Sequence, residues 1–227
     1  MEAFAEEIWI ASGPTVQSAG FTYPTRMAVI RLEDGGLFVC SPVALSAELS
    51  AALKALGDVR FVIAPNSLHH MALPEWRAAY HDARFYAAPG LRARRKDIAF
   101  DGDLTEAPMP WADEIDCVLV QGNAITTEAV FFHRRSGAVL FTDLLQNFPP
   151  DWFKGWRALI ARLDGMLAPS PRVPQKFRVA FTNRKAARAS IAAILAWPAQ
   201  RVLMAHGSPV RQDGAAFLRR AFSWLMR

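Results

Sequence analysis

Cysteine and histidine are scarce in this 227-residue chain, which has two of the first and five of the second. Cys40 and Cys117 each sit in an apolar run, so no disulfide scaffold can be built, and a reducing compartment, the cytoplasm, is expected. Long apolar stretches are also missing. None approaches the roughly 18 residues of a membrane span, so no membrane is expected among the partners. The first residues, Met1 to Glu7, are acidic, unlike the basic start of a secretory signal. Acidic residues, in turn, almost vanish from the last third: residues 154–227 hold 14 Lys and Arg against 2 Asp and Glu, while residues 1–153 hold 12 against 19. The net charge of +5 is therefore an acidic front joined to a basic tail. The basic third carries no interleaved aromatic-basic stripe, so nucleic acid is not expected, and solvated helix faces explain it more simply. A homo-oligomer is compatible with the composition.

A hydrophobic share of 52% excludes a disordered chain and suits one folded unit of this length. The first third reads as strands. Ile8 to Ala11 ends at Ser12-Gly13-Pro14, and Arg26 to Leu32 and Leu37 to Cys40 flank the turn Glu33-Asp34-Gly35-Gly36. From Ser46 the apolar spacing is helical through Leu49, Leu53 and Leu56. A strand at 60–64, a helix over 71–81 and a strand at 84–88 follow, then a polar loop or short helix over 92–104. A strand at 117–120 precedes a hairpin, 129–132 and 138–141, turned through Arg134-Arg135-Ser136-Gly137. Helices are expected over 151–167 and 183–197, separated by a proline-rich loop at 170–174. The strand 201–205 and a helix over 214–225 complete the chain. Strand groups alternating with helices predict a layered α/β fold.

Several strands end in residues able to bind a metal. Ile63-Ala64 leads to His69 and His70, Phe141-Thr142 leads into Asp143, and Met204-Ala205 leads into His206. Loops beyond strand ends are where ligands collect, and imidazole with carboxylate suits zinc or iron. His133 falls beside the hairpin turn and His81 at a helix end next to Asp82, so both read as exposed. The two thiols read as small core residues. Trp76, Trp111, Trp152, Trp156 and Phe148 read as core or pocket wall, and the run "NFPPDWFKGW" could overhang the site and suit an acyl chain. The run Arg92 to Lys96 reads as a solvated loop, with phosphate contact the sharper alternative.

These motifs, in this order, resemble the metallo-β-lactamase superfamily, from about Ile8 to Pro209. The family's Thr-His-x-His-x-Asp-His motif lies without a gap over Ala64 to His70, with its last histidine on His70 and its aspartate replaced by His69. "VLFTDLL" supplies the family's aspartate as Asp143, and "LMAHGSP" its final histidine as His206. The nearest likeness is to an uncharacterised branch carrying "HH" and "LLQNF". The resemblance implies a four-layer αββα sandwich, with residues 1–227 as a single domain. It also implies a metal-dependent hydrolase of esters, thioesters, lactones or phosphodiesters, acting on a small-molecule substrate.

The departures are informative. The first two motif histidines fall on Pro65 and Ser67, the third near Gly122-Asn123, and an early aspartate near Cys40-Ser41. One metal position has thus lost its histidines. The expected centre is mononuclear, one divalent metal (zinc, or else iron) held by His69, His70, Asp143 and His206. Asp143 is also the sole visible candidate for a catalytic base. The single metal would activate a water for attack. The competing expectation is a protein that keeps the fold without catalysis and binds a small molecule or another chain.

Overall fold

The computed structural model describes residues 1–168 and 172–227. Part of the proline-rich loop expected at 170–174, namely residues 170 and 171, lies outside the described residues.

Seven strands form the first sheet, in spatial order β1 (Glu2–Ala5), β2 (Ile8–Ser18), β3 (Phe21–Arg31), β4 (Leu37–Cys40), β5 (Val59–Ala64), β6 (Arg84–Ala87) and β7 (Gly102–Asp103). The pairings are antiparallel through β4 and parallel from β4 to β7. Parallel neighbours need crossovers. Helix α1 (Ala47–Leu56) makes the first and α2 (Leu73–Ala79) the second. Helix α1 begins where the Ser46 hydroxyl accepts the Leu49 N–H, carries Glu48 in its first turn and Lys54 in its last, and buries Leu49 and Leu53. The polar stretch after β6 contains the short helix α3 (Leu91–Arg94) as well as β7.

The second sheet has four strands, in the order β11 (Arg201–Gly207), β10 (Ala138–Asn147), β9 (Glu128–His133) and β8 (Ile115–Val120). The expected hairpin is β9–β10, with Val139 opposite Phe132. Between β10 and its parallel neighbour β11 come α4 (Trp156–Asp164), α5 (Gln175–Val179) and α6 (Arg184–Leu195). Helix α7 (Gly214–Phe222) follows β11.

The sheets face each other across a core that includes Phe38, Phe61, Trp111 and Phe131. Phe38 meets Trp111 at 5.0 Å and Phe131 at 5.3 Å between ring centroids, both edge-on. Such pairs add about 0.5–1.5 kcal/mol each beyond their burial. Outside the first sheet, Leu49, Leu53 and Trp76 of α1 and α2 pack on Val39, Val62 and Phe85. Outside the second, Ile191 of α6 and Phe217 and Phe222 of α7 cover Val139, Phe141 and Val202. Four layers, αββα, result as expected. None of the described helices is long and apolar enough to cross a membrane.

Some boundaries differ from the sequence reading. Strand β2 runs past Ser12-Gly13-Pro14, absorbing them in a register shift before Val16. Helix α4 starts only at Trp156, because Gly155 breaks the chain with φ +58°. Strand β1 and helix α5 were not expected. His133 is corrected: it is a buried strand residue, 1% exposed, with Nδ1 2.8 Å from the Ser136 hydroxyl. The polar turn that suggested exposure supplies its hydrogen-bond partner. His81 lies exposed beside Asp82, as expected.

Candidate metal centre

Three of the four expected ligands meet at one end of the sandwich. His69 comes from the loop after β5, Asp143 from β10 and His206 from β11. Asp143 sits where β10 loses register with β11, between Phe141 and Gln146, so an irregular stretch aims the carboxylate. His206 is followed by Gly207, whose φ of +95° and close approach to the Asn147 backbone leave no room for a Cβ.

One ligand atom from each residue lies within 4.8 Å of the others. His69 Nε2 is 3.1 Å from Asp143 Oδ2, and His206 Nε2 is 3.3 Å from Asp143 Oδ1. Donors sharing one tetrahedral ion with bonds of about 2.0–2.1 Å stand roughly 3.3 Å apart, so the spacing fits. The opposite side of each ring is already engaged. His206 Nδ1 is 2.7 Å from the Pro24 carbonyl, which can only accept, so Nδ1 carries the proton. His69 Nδ1 is 2.7 Å from Ser41 Oγ, and that hydroxyl donates to the Arg26 carbonyl. Both Nε2 lone pairs are thereby turned to the site, as metal-binding histidines require.

Two buried residues that sequence reasoning did not single out hold Asp143. Asn66 donates from Nδ2 to Asp143 Oδ2 at 2.7 Å and to Thr142 Oγ1 at 2.9 Å. Its Oδ1 accepts the N–H groups of Leu68 and His69, so one side chain ties the His69 loop to Asp143. Glu128, completely buried, accepts the backbone N–H groups of Thr142 at 2.8 Å, Asp143 at 2.8 Å and Leu144 at 3.1 Å. An acid opening the apolar run "EAVFFH" was the available signal.

The charges are strongly coupled. Burial raises the Asp143 pKa, but the charges and hydrogen bonds of His69 and His206 outweigh it and hold the carboxyl well below its ordinary range. Burial pulls His69 down, while Asp143 more than reverses this, so its pKa is raised. Glu128 is pushed up by burial and then by the Asp143 charge, against its three N–H bonds.

His70 is not brought to this cluster. Its Nδ1 faces Arg95 Nη1 at 2.7 Å, and that guanidinium also donates to the His70 carbonyl. Burial, then the charges of Arg95 and Arg94, lower its pKa. The expectation of His70 as a fourth ligand does not match this geometry, because the side chain is held by Arg95. Neither thiol is near ionisation: burial raises both, Cys117 to about 12.

The positions where the resemblance led to an expectation of missing ligands are engaged within the chain. Ser67 Oγ is 3.2 Å from Thr126 Oγ1. Asn123 donates to the Phe177 carbonyl and accepts the Ile125 N–H. The Pro65 carbonyl accepts the Ala129 N–H. Tyr23 lies edge-on to His206 at 5.4 Å and packs with Phe148 and Phe153 beside the site.

Residues 16–151 match the family model described as a domain of unknown function (DUF4336). The chain belongs to the DUF4336 family. No curated protein matches it in sequence. Among solved structures, this DUF4336 chain is similar to a metallo-β-lactamase from Pontibacter korlensis, at 11% identity and TM-score 0.65, with 99% of this chain and 97% of that one covered. It is also similar to the metallo-β-lactamase FIM-1 from Pseudomonas aeruginosa in its mono-zinc form, at 12% identity and TM-score 0.64, covering 100% and 96%. A metallo-β-lactamase from Hirschia baltica gives 12% identity and TM-score 0.64, covering 99% and 96%. The DUF4336 chain therefore has the metallo-β-lactamase fold.

Proposed function

We propose that this protein is a metal-dependent hydrolase with a mononuclear centre held by His69, Asp143 and His206. The observation that carries the reading is the pair of Nε2 atoms beside one carboxylate, each with its Nδ1 already engaged. Two neutral imidazoles and a carboxylate are a donor set for zinc, with iron the second choice. When bound there, a divalent ion would supply Lewis acidity toward a carbonyl or phosphoryl oxygen and lower the pKa of water.

The chain's own residues supply the rest. Asp143 contributes the negative charge, and its placement against two histidines keeps it ionised. Asn66 and Glu128 fix its position, so little reorganisation is left for the reaction. Tyr23, edge-on to His206, and Phe148 against it favour a partly apolar small-molecule substrate. An ester, thioester, lactone or phosphodiester fits this reading. The free thiols Cys40 and Cys117 support a reducing, cytoplasmic setting.

Metal analysis of the purified protein tests the centre. Zinc or iron at about one ion per chain is expected, lost in His206→Ala, with hydrolysis of an ester and phosphodiester panel lost in parallel. Failure to take up either metal overturns the reading. A second reading is a non-catalytic protein that keeps the pocket for a small molecule or another chain. The hydrogen bonds that close Ser67 and Asn123 favour it, and bound metal without hydrolysis across the panel would select it.

A further inference from the structure

Helix α4 is turned inside out. A helix on a soluble body buries its large apolar residues and shows its polar ones to water. Here Ala161 is buried and Ala158 packs on the cluster of Phe21, Phe148 and Phe153. The large residues face outward: Trp156 is 55% exposed, Leu159 61%, Ile160 43% and Leu163 75%. They stand at i, i+3, i+4 and i+7, a stripe about 100° wide. Trp156 keeps an edge-on contact with Phe21 at 5.7 Å, while Leu159, Ile160 and Leu163 stand exposed.

The surroundings of the stripe are basic. Arg157 and Arg162 lie on its two flanks, each roughly 110° from its centre. Lys154 precedes the helix and Asp164 is its one acid, while on α5, which packs against α4, Lys176 donates to the Tyr23 hydroxyl and Arg178 to the Val173 carbonyl. On α5, Val179 adds a further apolar side chain, 69% exposed. The face opposite the stripe is the one that meets Phe148 and, through it, Tyr23 and His206. The stripe is therefore not the wall of the metal pocket.

We infer that α4 docks this protein on an anionic lipid surface, its apolar stripe in the headgroup boundary and its flanking cations on acidic headgroups. Large apolar residues on one face, with Arg and Lys at its margins, are the pattern of a helix lying in the interface plane. A second copy of the chain is the poorer occupant. A two-fold contact through α4 would bring together two margins of net positive charge, Lys154, Arg157 and Arg162 against the single acid Asp164. The contact is interfacial and needs no spanning helix. It is independent of whether the centre is catalytic.

The test is co-sedimentation of the full chain with vesicles of phosphatidylcholine containing about one-third phosphatidylserine, beside vesicles of phosphatidylcholine alone. Binding to the mixed vesicles alone is expected, weakened at least about tenfold at roughly 0.5 M salt. The variant Leu159→Ser/Leu163→Ser should lose about tenfold or more while keeping its circular dichroism, since both side chains are exposed. Arg157→Gln/Arg162→Gln should lose binding to a similar degree. Equal sedimentation with and without phosphatidylserine, or no binding to either vesicle, overturns the proposal. So does a dimer in sedimentation equilibrium that the Leu159/Leu163 variant dissolves.

Discussion

Two parts of the same strand rim have met different fates. On one, His69, Asp143 and His206 point atoms with free lone pairs at a common centre. On the other, Ser67, Asn123 and the backbone of Pro65 spend their hydrogen bonds on Thr126, Phe177, Ile125 and Ala129. Both sides are buried or nearly so, and both satisfy their polar groups. The difference is in where satisfaction is found. The first side gathers three groups that could hold an ion, and the second completes itself within the chain.

Substitutions that treat the two sides alike would break this contrast. Asp143→Ala should have the largest effect, abolishing metal uptake and costing about 3–5 kcal/mol in denaturant unfolding, because two histidines and Asn66 lose their buried partner. Glu128→Gln should come next. It removes the charge that accepts three N–H groups, lowering metal affinity by about 10–100-fold in a competition titration and stability by roughly 1–3 kcal/mol. Asn123→Ala should cost stability by about 1–2 kcal/mol yet leave metal affinity within error, which sets the closed side apart. An equal loss of affinity in Asn123→Ala would erase the distinction.

The smallest effect is in pH. The raised pKa of metal-free His69 contributes stability that is present below its unfolded value near 6.5 and fades as pH rises through the folded value. The lowered pKa of Asp143 contributes stability above the unfolded value near 3.8, lost only in stronger acid. Melting temperature without metal should therefore decline as pH rises beyond about 6.5, and zinc should reverse that decline, since metal and proton compete for His69. A flat profile on chelation would show that the pair does not govern the site.

The layered fold and the convergence of His69, Asp143 and His206 could be read from strand patterns and from the polar residues that end them. The limits were physical. In His69-His70 both rings follow one strand, and spacing cannot say which turns inward. Arg95, 25 positions away, decides it by holding His70. Glu128 and Asn66 act on backbone groups and on Asp143 from other strand ends; the acid opening "EAVFFH" was a signal for the first, while no local pattern marks the second. His133 looked exposed because its neighbours are charged, yet Ser136 satisfies it in place. The alanines and large apolar residues of "WRALIARLD" share one helical period, so the pattern could not tell that the alanines would be the side facing the protein.

Asn66 has one further consequence. The two sheets share no strand, and His69 belongs to the first while Asp143 and His206 belong to the second. Asn66 to Asp143, His206 to Pro24 and Arg26 to the carbonyls of Met204 and Gly207 are stitches across that seam. The ligand set cannot assemble until the two halves have closed on each other. An ion held there would act as a latch on a finished sandwich, slowing its opening while leaving the speed of closing almost untouched.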